Sequence, residues 1–174
     1  KRLDPTFLIG FPRSGTTLLD TILDSHPMIE VLEEKNMVEK FINSLSELPN
    51  GGLDDLENMK DDQLKKIRDT YFNSLEKMVK NKDNSKLYVD KLPLNIIYVG
   101  EIVRIFPNSK FILSLRHPCD CVLSCLMQNF KPNDAMANFF NLDDAAHLYN
   151  AVMNLWTQYI SIFSINYHEA KYEN

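Results

Sequence analysis

The sequence predicts an α/β fold of three layers, P-loop-like and nucleotide-binding in type, with a central parallel sheet. Three observations carry that prediction. Short runs at residues 6–9, 87–89 and 110–115 read as strands, the first with the continuous apolar character of a strand buried on both faces. They alternate with longer stretches whose apolar residues recur at helical spacing. The first run, finally, passes through a two-glycine loop directly into a helix pattern.

Taken in order, Pro5 precedes the strand at 6–9, and Gly10 and Gly15 then bracket four residues as a P-loop does. Thr17 sits where that motif puts its magnesium-binding hydroxyl, but Thr16 stands where the motif has lysine. Backbone amides of Arg13, Ser14, Gly15, Thr16 and Thr17 are expected to point inward and to join the positive end of the following helix as an anion cradle. Arg13 adds a planar fork of donors suited to a phosphate or sulfuryl group. The plainer reading is a glycine turn with Thr16 or Thr17 as a cap and Arg13 in solvent. The string Pro-Arg-Ser-Gly-Thr-Thr, set between a strand and an amphipathic helix, favours the anion site.

The helix after the loop shows Leu18, Leu19, Ile22 and Leu23 on one side and stops near Ser25-His26-Pro27, because proline disfavours helix in the residue before it. Residues 29–32 form a second strand. Glu33 and Glu34 follow, then a helix carrying Met37, Val38, Phe41, Ile42 and Leu45. The Pro-Asn-Gly-Gly run at 49–52 is a break, and 54–62 is acidic and expected to be exposed. Leu64, Ile67, Tyr71, Leu75, Met78 and Val79 keep helical spacing, with Lys65, Lys66, Arg68 and Lys77 as a solvated face.

After a loop at 81–85, the strand at 87–89 ends in Asp90-Lys91. Pro93 opens a helix through Phe106, closed by Pro107-Asn108, and the strand at 110–115 ends in Arg116-His117-Pro118. Proline at the first position of the next helix, which runs to about Asn129, loses nothing by lacking an amide hydrogen. Asn141 caps a long helix with Leu142, Ala145, Tyr149, Val152, Trp156, Tyr159 and Phe163 on one face. Residues 168–174 begin a further strand.

At 174 residues the chain is one domain's worth, and 44% hydrophobic with 25% charged residues is ordinary for a globular protein. A net charge of -5 argues against a general nucleic-acid binder. No apolar run has the length of a membrane span and no signal peptide is visible, so no membrane partner is expected. The chain opens at Lys1, not at methionine, so the natural amino terminus is expected upstream. Cys119, Cys121 and Cys125 fall in one helix, where Cys119 and Cys121 point to different faces and do not easily close a tetrahedral site with His117. They read as small buried side chains in a reducing, cytoplasmic setting, and no metal is expected.

In a parallel sheet the ligand sits at the carboxyl ends of the strands. Four groups converge there: the cradle of residues 13–17, Glu34, Lys91, and Arg116 with Ser124 one to two helical turns onward. They provide an anion loop, a base, a second cation and a separate anion site.

Phe-Pro-Arg-Ser-Gly-Thr-Thr-Leu-Leu, then Glu33-Glu34, Asp90-Lys91-Leu-Pro, and Arg116-His-Pro-Cys-Asp-Cys-Val-Leu-Ser124 together resemble the sulfotransferases that use 3'-phosphoadenosine 5'-phosphosulfate (PAPS). Within them the chain is most similar to the bacterial tetratricopeptide-repeat-linked branch related to protein-tyrosine sulfotransferases. The resemblance runs over nearly the whole chain. It implies that residues 1–174 are a sulfotransferase domain cut short at its C-terminal end, with tetratricopeptide repeats in the full-length protein. By position, it implies that Arg13, Ser14, Gly15, Thr16 and Thr17 bind the 5'-phosphosulfate and that Arg116 and Ser124 bind the 3'-phosphate. It implies, too, that Glu34 is the catalytic base and that Lys91, with Arg13, stabilises charge on the leaving phosphate. The acceptor implied is a hydroxyl on a protein tyrosine, a carbohydrate or a small molecule, and the product nucleotide is PAP.

Two departures stand out. Lys35 and Asn36 occupy positions where the tyrosine-directed enzymes have arginines, and Gln128 stands where they have an arginine near the nucleotide. Two other readings compete: a P-loop kinase or NTPase with Thr17 on magnesium and Asp90 as its acid, and a nucleotide-binding fragment without catalysis. The absence of lysine at Thr16 weighs against the kinase.

Overall fold

The computed structural model describes residues 3–46, 53–79, 83, 85–130 and 135–173. Five strands, β1 (Thr6–Gly10), β2 (Ile29–Glu33), β3 (Leu87–Lys91), β4 (Lys110–Leu115) and β5 (Asn166–Lys171), form one sheet in the order β2-β3-β1-β4-β5. Every pairing is parallel. Parallel neighbours need crossovers. These are supplied by α1 (Thr16–Asp24), α2 (Met37–Ser46), α3 (Leu53–Asn58), α4 (Asp61–Met78), α5 (Val99–Ile105), α6 (Pro118–Leu126) and α7 (Leu142–Ile162).

The alternation of side chains along each strand divides the residues between two helical layers. Phe7 of β1 stacks on Phe111 of β4 and meets Tyr71 of α4, while Tyr167 of β5 meets Trp156 of α7 edge-on. Phe41 and Phe106 complete this aromatic core. Lys91, in register with Leu8 and Glu33, points to the other side, where α1 lies. Asn141 caps α7 as the sequence suggests, its side chain accepting from the Asp144 amide at 2.8 Å.

Several elements depart from the expectation. The acidic stretch after the break contains α3, where Leu56 and Met59 are buried in the hydrophobic core and Arg104 of α5 donates to the Leu56 carbonyl at 3.2 Å. Pro93–Tyr98 is a 3₁₀ turn that becomes α-helix only at Val99. Arg68, read as solvated, donates to the Ile105 carbonyl at 2.6 Å. Cys119 is exposed, whereas Cys121 and Cys125 are buried. Leu18 and Ile22 keep helical spacing yet are 51% and 55% exposed on α1. The break at 49–52 and parts of the 81–85 loop lie outside the described residues.

Asp90 sits in the aromatic core, accepting a 3.0 Å hydrogen bond from the Tyr71 hydroxyl. Burial lifts its carboxyl to about 7, against the pull of that hydrogen bond. An unfolded aspartate titrates near 3.9, so between about pH 4 and 7 only the folded chain holds this proton, and stability must fall as pH rises through that window. Urea melts are therefore expected to show wild type losing about 2 to 3 kcal/mol between pH 5 and pH 8 through this group. Asp90→Asn is expected to remove that part of the slope, and an unchanged slope would mean that Asp90 ionises in the core.

Candidate functional site

β1 ends at Gly10, where a Cβ would come within 2.7 Å of both the Ser114 carbonyl oxygen and the Ser14 hydroxyl. The loop turns through two left-handed residues, Arg13 at φ 69° and Gly15 at φ 98°. Only glycine adopts that region freely, so holding Arg13 there costs about 1 to 2 kcal/mol. Ser14 spends its amide on the Phe11 carbonyl at 3.1 Å, and its carbonyl accepts from the Ser114 hydroxyl at 2.8 Å. The five-amide cradle is thus reduced by one. Thr16 and Thr17 lie in the first turn of α1, whose amides have no acceptor within the helix and sit at its positive end.

The cations beside the loop interlock. Arg13 Nε donates to Ser124 Oγ of α6 at 3.0 Å, and Arg116 Nη1 donates to the Arg13 carbonyl at 3.4 Å. Arg116 also pairs with Asp120 at 3.7 Å and lies 4.9 Å over the ring of Tyr172. Its Nε is buried without a partner among the described residues. Tyr172 is fixed just past β5 by its amide, which donates to the Leu115 carbonyl at 2.8 Å. Its ring presses on the loop so closely that a Cβ on Gly15 would come within 2.6 Å. Arg13, Arg116, Ser124 and Gln128 line a depression of about 340 Å³.

A second cluster lies towards β2. The Lys91 ammonium, its side chain 1% exposed, has Glu33 at 2.8 Å, Glu34 at 3.5 Å and Asp20 of α1 at 3.6 Å. The Glu34 amide donates to the Lys91 carbonyl at 2.7 Å, and Glu34 takes a left-handed φ of 49° that turns the chain out of the strand. Burial raises the Asp20 carboxyl, and the Lys91 charge opposes it.

One cavity of about 910 Å³ joins these groups at the carboxyl ends of the strands, lined among others by Arg13, Thr16, Thr17, Glu34, Arg116 and Tyr172. Lys91 lies beneath it and does not line it, and Ser124 borders the neighbouring depression instead. Asp90 is remote from the loop's ligand side, held by Tyr71 in the core, which removes the acid that a kinase reading requires. Asp20, Asn95 and Tyr172 were not singled out by sequence reasoning. The only signal for Asp20 is its spacing of four residues from Thr16, which sets both on one side of α1.

Comparison with known proteins gives consistent matches. The model of the Sulfotransferase family matches residues 5–174. An uncharacterized protein of Aquifex aeolicus (strain VF5) is 34% identical over 167 residues, covering 87% of this chain and 21% of its own length. Protein-tyrosine sulfotransferase 1 of Rattus norvegicus is 31% identical over 121 residues, covering 67% of this chain and 32% of its own. The chain thus spans about a fifth to a third of the length of these curated relatives. Among solved structures, sulfotransferase STF9 from Mycobacterium avium superposes with a TM-score of 0.59 at 13% identity, over 98% of this chain and 59% of that one. A sulfotransferase from Alicyclobacillus acidocaldarius gives 0.53 at 17% identity, over 97% and 73%. At such identities these two structures establish a shared fold.

Proposed function

The chain belongs to the sulfotransferase family, and from that premise we propose that the full-length protein moves a sulfuryl group from PAPS to an acceptor hydroxyl. The observation that carries this reading is a single cavity with an anion loop, a paired-cation end at Arg116, and a carboxylate, Glu34, at the other end. The residues fit a nucleotide with two separated anionic groups. Arg116 Nε is buried without a partner among the described residues, on a side chain that lines both the cavity and the neighbouring depression, which supports an anion at that end.

When bound, the donor supplies a sulfur whose bond to a phosphate oxygen breaks as the acceptor oxygen attacks. The amides of Gly15, Thr16 and Thr17, with Arg13, would hold its 5' end against the positive end of α1. Arg116 and Ser124 would hold its 3'-phosphate, and Glu34 would take the acceptor's proton. Lys91 sits within 3.5 Å of Glu34, so its charge both steadies that carboxylate and lies near the departing phosphate oxygen in this reading. The three free thiols suit the cytoplasm. Tetratricopeptide repeats are proposed to lie outside residues 1–174.

Two results are expected. PAP should bind equally with and without a chelator by calorimetry, since fixed cations and amides serve the phosphates; a strict magnesium requirement would overturn this reading. Arg116→Ala should weaken PAP by roughly tenfold to over a hundredfold, the loss of about 1.5 to 3 kcal/mol typical of a charged hydrogen-bond partner. Adenosine 5'-phosphosulfate, which lacks the 3'-phosphate, should hardly respond. Equal losses for both nucleotides would remove Arg116 from its assigned place.

A further inference from the structure

The cavity has a second half that nucleotide binding does not explain. α2 turns one face into the core through Met37, Val38, Phe41 and Leu45. The opposite spacing, Asn36, Glu39 and Asn43, falls on a single stripe and lines the cavity. Beside it the 3₁₀ turn after β3 contributes Asn95 and Tyr98, while Leu92 and Pro93 give an apolar flank. β2 and β4 are separated by two strands, so this half lies about 14 Å from the Arg116 end at ordinary strand spacing.

Its charge is one-sided. Among the described residues the cations lining the cavity are Arg13 and Arg116, both at the loop end, whereas Glu34 and Glu39 line the α2 half. Lys35 borders a separate depression with His26 and Met78. Glu39 stands close enough to Tyr98 to help burial hold that phenol above its ordinary range. An acidic acceptor entering here meets like charge, and no cation lines this half among the described residues; Lys91, beneath it, is buried and already shared by Asp20, Glu33 and Glu34.

The remaining polar groups are neutral amides. Asn95 is 1% exposed, and its Nδ2 has no hydrogen-bond partner among the described residues. A buried amide donor left unmet is costly, and a ligand oxygen would relieve that cost. Amides both donate and accept, which matches hydroxyl groups that do the same. An apolar flank beside such groups is the usual form of a site for a neutral polar molecule.

We propose that the α2 half of the cavity takes an uncharged, hydroxyl-rich acceptor of the carbohydrate class, with Asn95 bonding an acceptor hydroxyl and Glu39 excluding acidic acceptors. This rests on the sulfuryl-transfer reading. It is tested with the full-length protein and PAPS on three probes: neutral oligosaccharides of two to six residues, a tyrosine peptide flanked by glutamates, and the same peptide flanked by serines. PAP binding, measured separately, reports on the donor end alone, and its absence would sink the transfer reading itself. With PAP bound, the oligosaccharides are expected to accept sulfate and the serine peptide to exceed the acidic one in kcat/KM. Glu39→Lys should raise the acidic peptide relative to the serine peptide by about tenfold or more. Glu39→Gln should move the ratio the same way by less, and Asn95→Ala should lower kcat/KM for the oligosaccharide without weakening PAP. Preference of the wild type for the acidic peptide, an unmoved ratio in Glu39→Lys, or PAP binding without transfer to any neutral oligosaccharide would each overturn the proposal.

Discussion

Glu34→Gln in the full-length protein is expected to keep PAP affinity and to lower turnover by about 10² to 10⁴, the usual contribution of a general base. The side chain is more than half exposed at the cavity wall, so the change costs little stability and the loss can be read as chemistry. Glu33→Gln is the informative neighbour. Its carboxylate lies nearer to Lys91, at 2.8 Å, but borders a separate depression outside the cavity. Its effect on turnover should therefore be far smaller. If Glu33→Gln abolishes turnover and Glu34→Gln does not, the two acids have exchanged roles; if neither matters, the base lies elsewhere and the mechanism proposed here is wrong.

Lys91→Ala is expected to act on stability and turnover at once. Its fully buried ammonium is the cation that Asp20, Glu33 and Glu34 share. Breaking a buried ion pair typically costs about 3 to 5 kcal/mol, and because Glu33 and Glu34 can turn to water the lower end applies here. That corresponds to a Tm lower by about 6 to 12 °C for a chain of this size. Turnover should fall as well, since the charge that steadies Glu34 is lost, and in the proposed assignment, where Lys91 faces the leaving phosphate from beneath the cavity, PAP should weaken somewhat too. Addition of Asp20→Asn to Lys91→Ala should recover part of the melting temperature but none of the turnover. Recovery of both would assign Lys91 a purely structural place.

Strands were legible where burial on both faces writes itself as an unbroken apolar run, as at Phe7-Leu8-Ile9 and Phe111-Ile112-Leu113. The cap at Asn141 and the convergence of Arg13, Glu34 and Arg116 were legible for a related reason: strand ends and helix starts are marked locally, by glycine, proline and short polar residues. What covers a face is not marked locally. Leu18 and Ile22 have the periodicity of a buried stripe and are nevertheless exposed, and the charged run around Leu56 hides two core residues. Tyr172 over Arg116 and Asp20 against Lys91 depend on which strands become neighbours, and no spacing along the chain contains that information. The interlock of Arg13 with Ser124 was equally out of reach, since it follows from β1 pairing with β4.

The sheet order has a consequence for how the chain comes to be folded on the ribosome. β1 is the central strand and is made before the other four, yet its two partners are β3 and β4, which begin only at Leu87 and Lys110. Until then Phe7, Leu8 and Ile9 emerge with both edges of their backbone unpaired, and the anion loop that hangs from them has nothing to fix its turn. Parallel pairing across long stretches of chain is slow and leaves apolar segments open to wrong contacts. Nascent chains stalled before residue 87 should therefore remain open to protease at the loop, and protection should arrive in one step after β4 has left the tunnel.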